Sequence, residues 1–172
     1  MSFLRAIPLA MLAVAAAIVL PSAGIAQDAP EGRVILTVSG EITAANVDGT
    51  MQYDRAMLEA FGLHTVVTET PWTDGDVSFE GVLLRDLLAD VGATGDTIAA
   101  IALNDYTVTI PALDAEEYDV ILAMRQDGEQ LTVRQRGPLW VIYPWSDVPG
   151  LQNEVYYSRA IWQLKTLEVR PN

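Results

Sequence analysis

The sequence predicts an α+β domain of mixed, largely antiparallel β-sheets with short peripheral helices. Three observations carry this. Short runs rich in β-branched residues recur along the chain between glycine, proline and Asx turns. Apolar residues take helical spacing only in brief stretches, and Asp127-Gly128 joins two extended runs as a tight hairpin turn.

Taken in order, Arg5 precedes an apolar run over residues 7–20, and Gly24-Ile-Ala26 supplies small residues where a signal peptidase cuts. A signal peptide over 1–26 is expected, with a single exported domain over 27–172 that does not insert in the membrane after cleavage. Residues 34–40 read as a strand ended by Gly40. Residues 53–61 read as a helix, with Met57, Leu58 and Phe61 on one face and Gly62 just past its end. Residues 64–70 form a strand, 71–75 a turn, and 77–79 a short extended piece. Gly81 introduces a helix over 82–91 that Gly92 closes. Residues 97–103 and 106–110 pair across Asn104-Asp105. A helix or turn over 111–117 leads to strands over 118–124 and 129–133. A loop over 146–152 and a helical turn over 154–160 precede a terminal strand over 161–169.

Ten basic and 23 acidic residues give a formal charge of −13, and loss of Arg5 with the signal segment leaves −14. Such a balance repels nucleic acid and anionic membrane surfaces. Cysteine is absent, which excludes disulfides, thiolate metal ligands and a cysteine nucleophile. One histidine, His64, and no Gly-x-Ser-x-Gly turn argue against a hydrolase. Against this acidic background, residues 134–145 gather Arg134, Arg136, Trp140, Tyr143 and Trp145. Aromatic rings beside a guanidinium suit a flat, polar heterocycle, although a central strand with amphipathic rims is the commoner origin of such a run.

An ordered set of segments carries a resemblance. Trp72 runs into Phe79-Glu-Gly-Val-Leu-Leu-Arg-Asp-Leu-Leu. Then come Leu103-Asn-Asp-Tyr, Tyr118-Asp-Val-Ile-Leu-Ala, Gly137-Pro-Leu-Trp-Val-Ile-Tyr-Pro and Trp162-Gln-Leu-Lys-Thr-Leu-Glu-Val. Together they resemble the molybdopterin-binding domain of the sulfite oxidase superfamily, over about residues 34–169. That family binds molybdenum through a cysteine ahead of the helix, where this chain has Thr68-Glu-Thr-Pro-Trp72. A hydroxyl is a poor substitute for a soft thiolate, so molybdenum is not expected here. The arginine that follows the family's Gly-x-Pro corresponds to Trp140, and the phosphate-holding loop corresponds to residues 153–160, whose one cation is Arg159. A bare pterin, tetrahydropterin-like, is therefore the expected ligand.

The small exported members of the superfamily imply the rest. They are periplasmic pterin-binding proteins that report to membrane receptors controlling cyclic-di-GMP. The expected protein is thus a non-catalytic periplasmic binder whose partner is the periplasmic domain of such a receptor. No catalytic residue or metal ligand is assigned. Two alternatives stand beside it: a molybdopterin-dependent oxidoreductase with a non-cysteine metal site, and a ligand-free interaction module.

The expected ligand-binding residues follow. Trp140 and Tyr143 either stack on the pterin or pack in the core; being three apart, at most one of the two faces the ligand. Arg136 donates to the ring edge or makes a surface ion pair. Trp72, on its turn, covers the ligand. Asn104 and Asp105 recognise the amino edge or simply form a turn, and Tyr157 and Arg159 reach the ligand's side chain. Trp162 and Lys165 are read as structural, and His64 as a strand-end residue.

Overall fold

The computed structural model describes residues 28–171, so the expected signal peptide lies outside the described residues. Ten strands form two sheets. The first runs β2 (Met51–Asp54), β1 (Val34–Gly40), β10 (Leu164–Arg170), β5 (Thr97–Ala102) and β6 (Thr107–Pro111). The second runs β3 (His64–Thr68), β4 (Val77–Leu83), β7 (Ile121–Gln126) and β8 (Glu129–Gln130), with β9 (Trp140–Ile142) also paired to β7. Among the described residues only the β1–β10 pairing is parallel. The mixed, largely antiparallel α+β class is therefore the observed one.

Among the described residues, four short helices lie outside the sheets: α1 (Arg55–Glu59), α2 (Leu84–Asp90), α3 (Ala112–Glu117) and α4 (Glu154–Arg159). Each is held by packing rather than length, because helices this short do not persist alone. Leu58 of α1 and Leu84 and Leu87 of α2 are fully buried in the core, and α3 buries Ala115. The turns over 111–117 and 154–160 resolve as α3 and α4, and the second is capped by Asn153, whose side chain accepts from Val155 N at 3.0 Å.

Several boundaries differ from the sequence reading. The helix expected from residue 53 starts at Arg55, because residues 51–54 pair with β1 and alternate Met51 and Tyr53 into the core. Asp54 ends that strand and caps α1, accepting from Met57 N at 2.9 Å and from Gly32 N at 2.7 Å. The short piece at 77–79 is the start of a seven-residue strand, and Gly81 lies inside it rather than before a helix. The ladder to β7 shifts register between Glu80 and Gly81, and a Cβ on Gly81 would sit 2.1 Å from the Leu122 carbonyl oxygen. This glycine serves a close backbone approach at a bulge. The strand expected over 129–133 stops at Gln130, and residues 133–135 make a 3₁₀ turn instead.

Gly81→Ala should destabilise the protein by at least about 2 kcal/mol, because the obstructing atoms are backbone and cannot swing away. Gly150→Ala, which meets nothing within 4 Å, should stay within about 0.5 kcal/mol. Denaturant titration of the two variants checks this.

The Asp54 carboxyl is held below the usual carboxylate range, first by the Met57 N–H and then by that of Gly32. Its folded-state value is thus lower than its unfolded one. The contribution is full above about pH 4 and is lost as pH falls through the depressed folded value. The melting-temperature gap between wild type and Asp54→Asn should accordingly be open at pH 7 and close on acidification. A gap independent of pH would contradict the assignment.

Candidate ligand-binding site

A pocket of about 330 Å³ opens between the β5–β6 turn, α4 and the loop after β3. Its floor is apolar: Ala102 ends β5, and Ala160 and Ile161 follow α4. Four aromatic rings, Trp72, Tyr106, Tyr157 and Trp162, make its walls, and Asn104 and Ser158 supply polar rim groups. An apolar concavity with a few polar groups is the usual form of a small-molecule site.

Trp72 sits at the centre of an aromatic cluster. Its ring lies 5.5 Å from Trp162, 5.9 Å from Trp140, 6.4 Å from Tyr157 and 6.5 Å from Trp145, mostly edge to face. Edge-to-face packing places positive ring edges on negative faces and holds each ring in register. Half-buried Trp72 is thus a fixed wall of the pocket. The turn that carries it is closed internally. Thr70 Oγ1 accepts from Trp72 N at 3.1 Å and bonds Thr73 Oγ1 at 2.9 Å. Thr68 Oγ1 accepts from Ser146 N at 3.0 Å, and Ser146 Oγ in turn accepts from Glu69 N at 2.9 Å.

Arg136 lies behind Trp162. Its guanidinium carbon is 4.9 Å from the Trp140 ring and 5.8 Å from the Trp162 ring, and Nη2 donates to the Trp72 carbonyl oxygen at 3.3 Å. The backbone before the cis Gly137-Pro138 bond is left-handed at Arg136, with φ of 70°, and its carbonyl accepts from Gln163 N at 2.8 Å. This fixes the side chain across two indoles.

The remaining expected residues divide. Trp72, Asn104 and Tyr157 line the pocket. Trp140 and Tyr143 do not, because both are fully buried. Trp140 Nε1 donates to the Ala160 carbonyl oxygen at 3.1 Å, and its ring meets Phe79 at 5.3 Å, so it is the foundation under the cluster. Tyr143 donates to Asp114 Oδ2 at 2.7 Å, and Arg159 Nη1 donates to the same oxygen at 2.7 Å. Burial first, and then the Asp114 bond, pushes the Tyr143 hydroxyl far above the ordinary tyrosine value, so it remains a donor. Arg159 is therefore committed to the core side. Asp105 takes a left-handed turn conformation, and its exposed carboxylate pairs with Lys165 at 2.6 Å. Asn104 accepts from Tyr106 N at 3.2 Å through Oδ1, a turn contact that leaves its NH₂ group without a partner among the described residues.

Three residues escaped the sequence reading. Trp162, expected to be structural within a strand over 161–169, is a pocket wall ahead of β10, which begins at Leu164. Tyr106, expected within the strand over 106–110, precedes β6 and is more than half exposed. Asp114 is a buried carboxylate on a helix whose neighbours are acidic, and nothing local distinguishes it from Glu116 or Glu117.

The side chains present do not fit a phosphorylated molybdopterin bearing its metal. The 68–72 segment offers hydroxyls already engaged with one another and with backbone, and no soft ligand. Arg159 is neutralised by Asp114, so the loop that would hold a phosphate keeps no spare cation. The aromatic walls do fit a bicyclic ring.

Asp114→Ala should cost about 3 kcal/mol, because it strands the buried Tyr143 hydroxyl and the Arg159 charge together. Equilibrium unfolding would read this loss.

Comparison with known proteins agrees with the architecture. A family described as oxidoreductase molybdopterin binding domain matches residues 40–148, which include Trp72, Asn104, Asp105 and Arg136 and stop before α4. The sulfane dehydrogenase SoxCD from Paracoccus pantotrophus is similar in structure, with a TM-score of 0.59 at 18% identity. The similarity covers 80% of this chain and 38% of that one, and it is a likeness of fold. No curated protein matches the sequence. With the match extending over well more than half its length, this chain belongs to the oxidoreductase molybdopterin-binding-domain family.

Proposed function

We propose that this domain binds a reduced pterin and performs no redox chemistry at molybdenum. The observation that carries the reading is the state of the 68–72 segment. Where the resemblance places a metal-bearing cysteine, threonine hydroxyls are closed by internal hydrogen bonds and Trp72 walls an aromatic pocket. Membership of a family named for a pterin-type cofactor supports the ligand class.

The pocket chemistry supports it too. A pterin presents flat faces to Trp162, Trp72 and Tyr157 and a polar edge to the rim. Stacking on such rings contributes about 0.5–1.5 kcal/mol per pair beyond area burial. The Trp145 indole N–H is fully buried with no partner among the described residues, in a ring that packs on both Trp72 and Tyr157. An unsatisfied donor costs about 1–3 kcal/mol, a cost that a polar ligand or water behind those walls would relieve. On this reading the protein works in the periplasm, and its bound state is relayed to a membrane receptor controlling cyclic-di-GMP. The acidic surface suits a basic docking face on that partner.

Tetrahydrobiopterin, titrated anaerobically, should quench tryptophan fluorescence and raise the melting temperature. Trp162→Ala should weaken binding at least tenfold, about 1.4 kcal/mol, while leaving the cold protein folded, because Trp162 is 38% exposed. Failure of every reduced pterin to change either signal sinks the proposal. Stoichiometric molybdenum after expression in a cofactor-competent host would instead favour an oxidoreductase, the reading that family membership alone supports.

A further inference from the structure

A second cavity, of about 630 Å³, shares Trp162 with the aromatic pocket, since that residue lines both. The two differ in chemistry. The first is walled by rings. The second is walled by Arg134, Gln135, Arg136 and Gln163, with the β7–β8 hairpin opposite.

Its two arginines stand side by side in the lining, and neither is in an ion pair among the described residues. Acidic residues outnumber basic ones by more than two to one, and Arg85, Arg125, Arg159, Lys165 and Arg170 all have carboxylate partners, which leaves Arg33, Arg55, Arg134 and Arg136 outside ion pairs among the described residues. Among the described residues, neither Arg134 nor Arg136 has a carboxylate within ion-pair distance. The cavity's own Asp127 turns away, accepting from Ser78 N at 3.1 Å. Glu129, also in the lining, is exposed on the hairpin and bridges neither arginine. Arg136 is moreover ordered without an anion. Two indoles and the Trp72 carbonyl hold it, and that carbonyl occupies one of its five N–H donors. A half-buried, oriented guanidinium with donors to spare is a ready oxyanion receptor.

We infer that the ligand carries an anionic tail, a carboxylate or a phosphate, which passes the Trp162 indole and is received by Arg134 and Arg136. This rests on the pterin reading, which places the ring in the aromatic pocket. It adds that the ring is only part of what is recognised. A tail long enough to clear Trp162 is required, so a short neutral pterin would fill half the site.

The test compares three reduced ligands anaerobically by calorimetry at low and high salt: neutral tetrahydrobiopterin, tetrahydrofolate with its glutamate carboxylates, and tetrahydroneopterin phosphate. At least one charged ligand should bind roughly tenfold tighter than the neutral one, with the advantage shrinking as salt rises. Which one gains distinguishes carboxylate from phosphate. Arg134→Gln and Arg136→Gln should each cut the charged-to-neutral affinity ratio roughly fivefold or more, whereas Arg85→Gln, outside both cavities, should not. Arg134 is exposed, so its variant keeps the test open if Arg136→Gln fails to fold. Neutral binding as tight as both charged ligands, or an advantage that survives both variants, overturns the tail while leaving the pterin reading intact. If none of the three binds, both fall.

Discussion

One buried carboxylate ties the site together. Asp114 sits on α3, yet its Oδ2 accepts from Tyr143, just past β9, and from Arg159, at the end of α4. Those three elements have no common strand ladder. A charge in this position is tolerated only because both donors are present, so the interaction is mutual: each group makes the burial of the others possible. α4 is six residues long and could not hold its place by helix propensity. Its docking fixes Tyr157 and Ser158, and with them one wall and part of the rim of the aromatic pocket.

Trp140 shows how position overrides composition. In the sequence it stands where the resemblance places an arginine, inside an aromatic stretch of the chain, and stacking on a ligand and packing in the core are both open to it. The structure turns it inward. Its indole N–H is satisfied by the Ala160 carbonyl, and its ring supports Phe79, Trp72, Trp162 and the Arg136 guanidinium. The aromatic character of the stretch therefore acts one layer below the ligand. What reaches the surface is what Trp140 positions.

The strands were the legible part. Val34–Gly40 follows from β-branched alternation closed by a glycine, and the turns at Asp127-Gly128 and Asn104-Asp105 appear where expected because their residues tolerate positive φ. Legibility failed where tertiary contacts decide. Residues 53 and 54 read as the start of a helix but belong to a strand paired with β1, and Gly81 looks like a helix boundary but answers to Leu122, about forty residues on. Of the expected site residues, Trp72, Asn104 and Tyr157 converge because loops and turns display them. Asp114 and Trp162 were hidden for opposite reasons: one is an ordinary acid in an acidic helix, the other a tryptophan whose strand starts three residues later than the alternation suggests.

Family membership and site chemistry pull in different directions here, and the loop after β3 shows why both hold. A metal-bearing loop must leave its ligand atom unsatisfied by the protein. Thr68 and Thr70 do the reverse: each hydroxyl is spent on a neighbour, through Ser146 in one case and Thr73 with the Trp72 N–H in the other. That internal closure makes the turn a rigid mount. Rigidity is of little use to a lone exposed indole, but it is needed by one that must meet four other rings, three of them edge to face, at 5.5 to 6.5 Å. The same framework that elsewhere presents a reactive atom here presents a surface. The Trp72 carbonyl extends that role to the second cavity by orienting Arg136, so the two halves of the proposed recognition site share one mount.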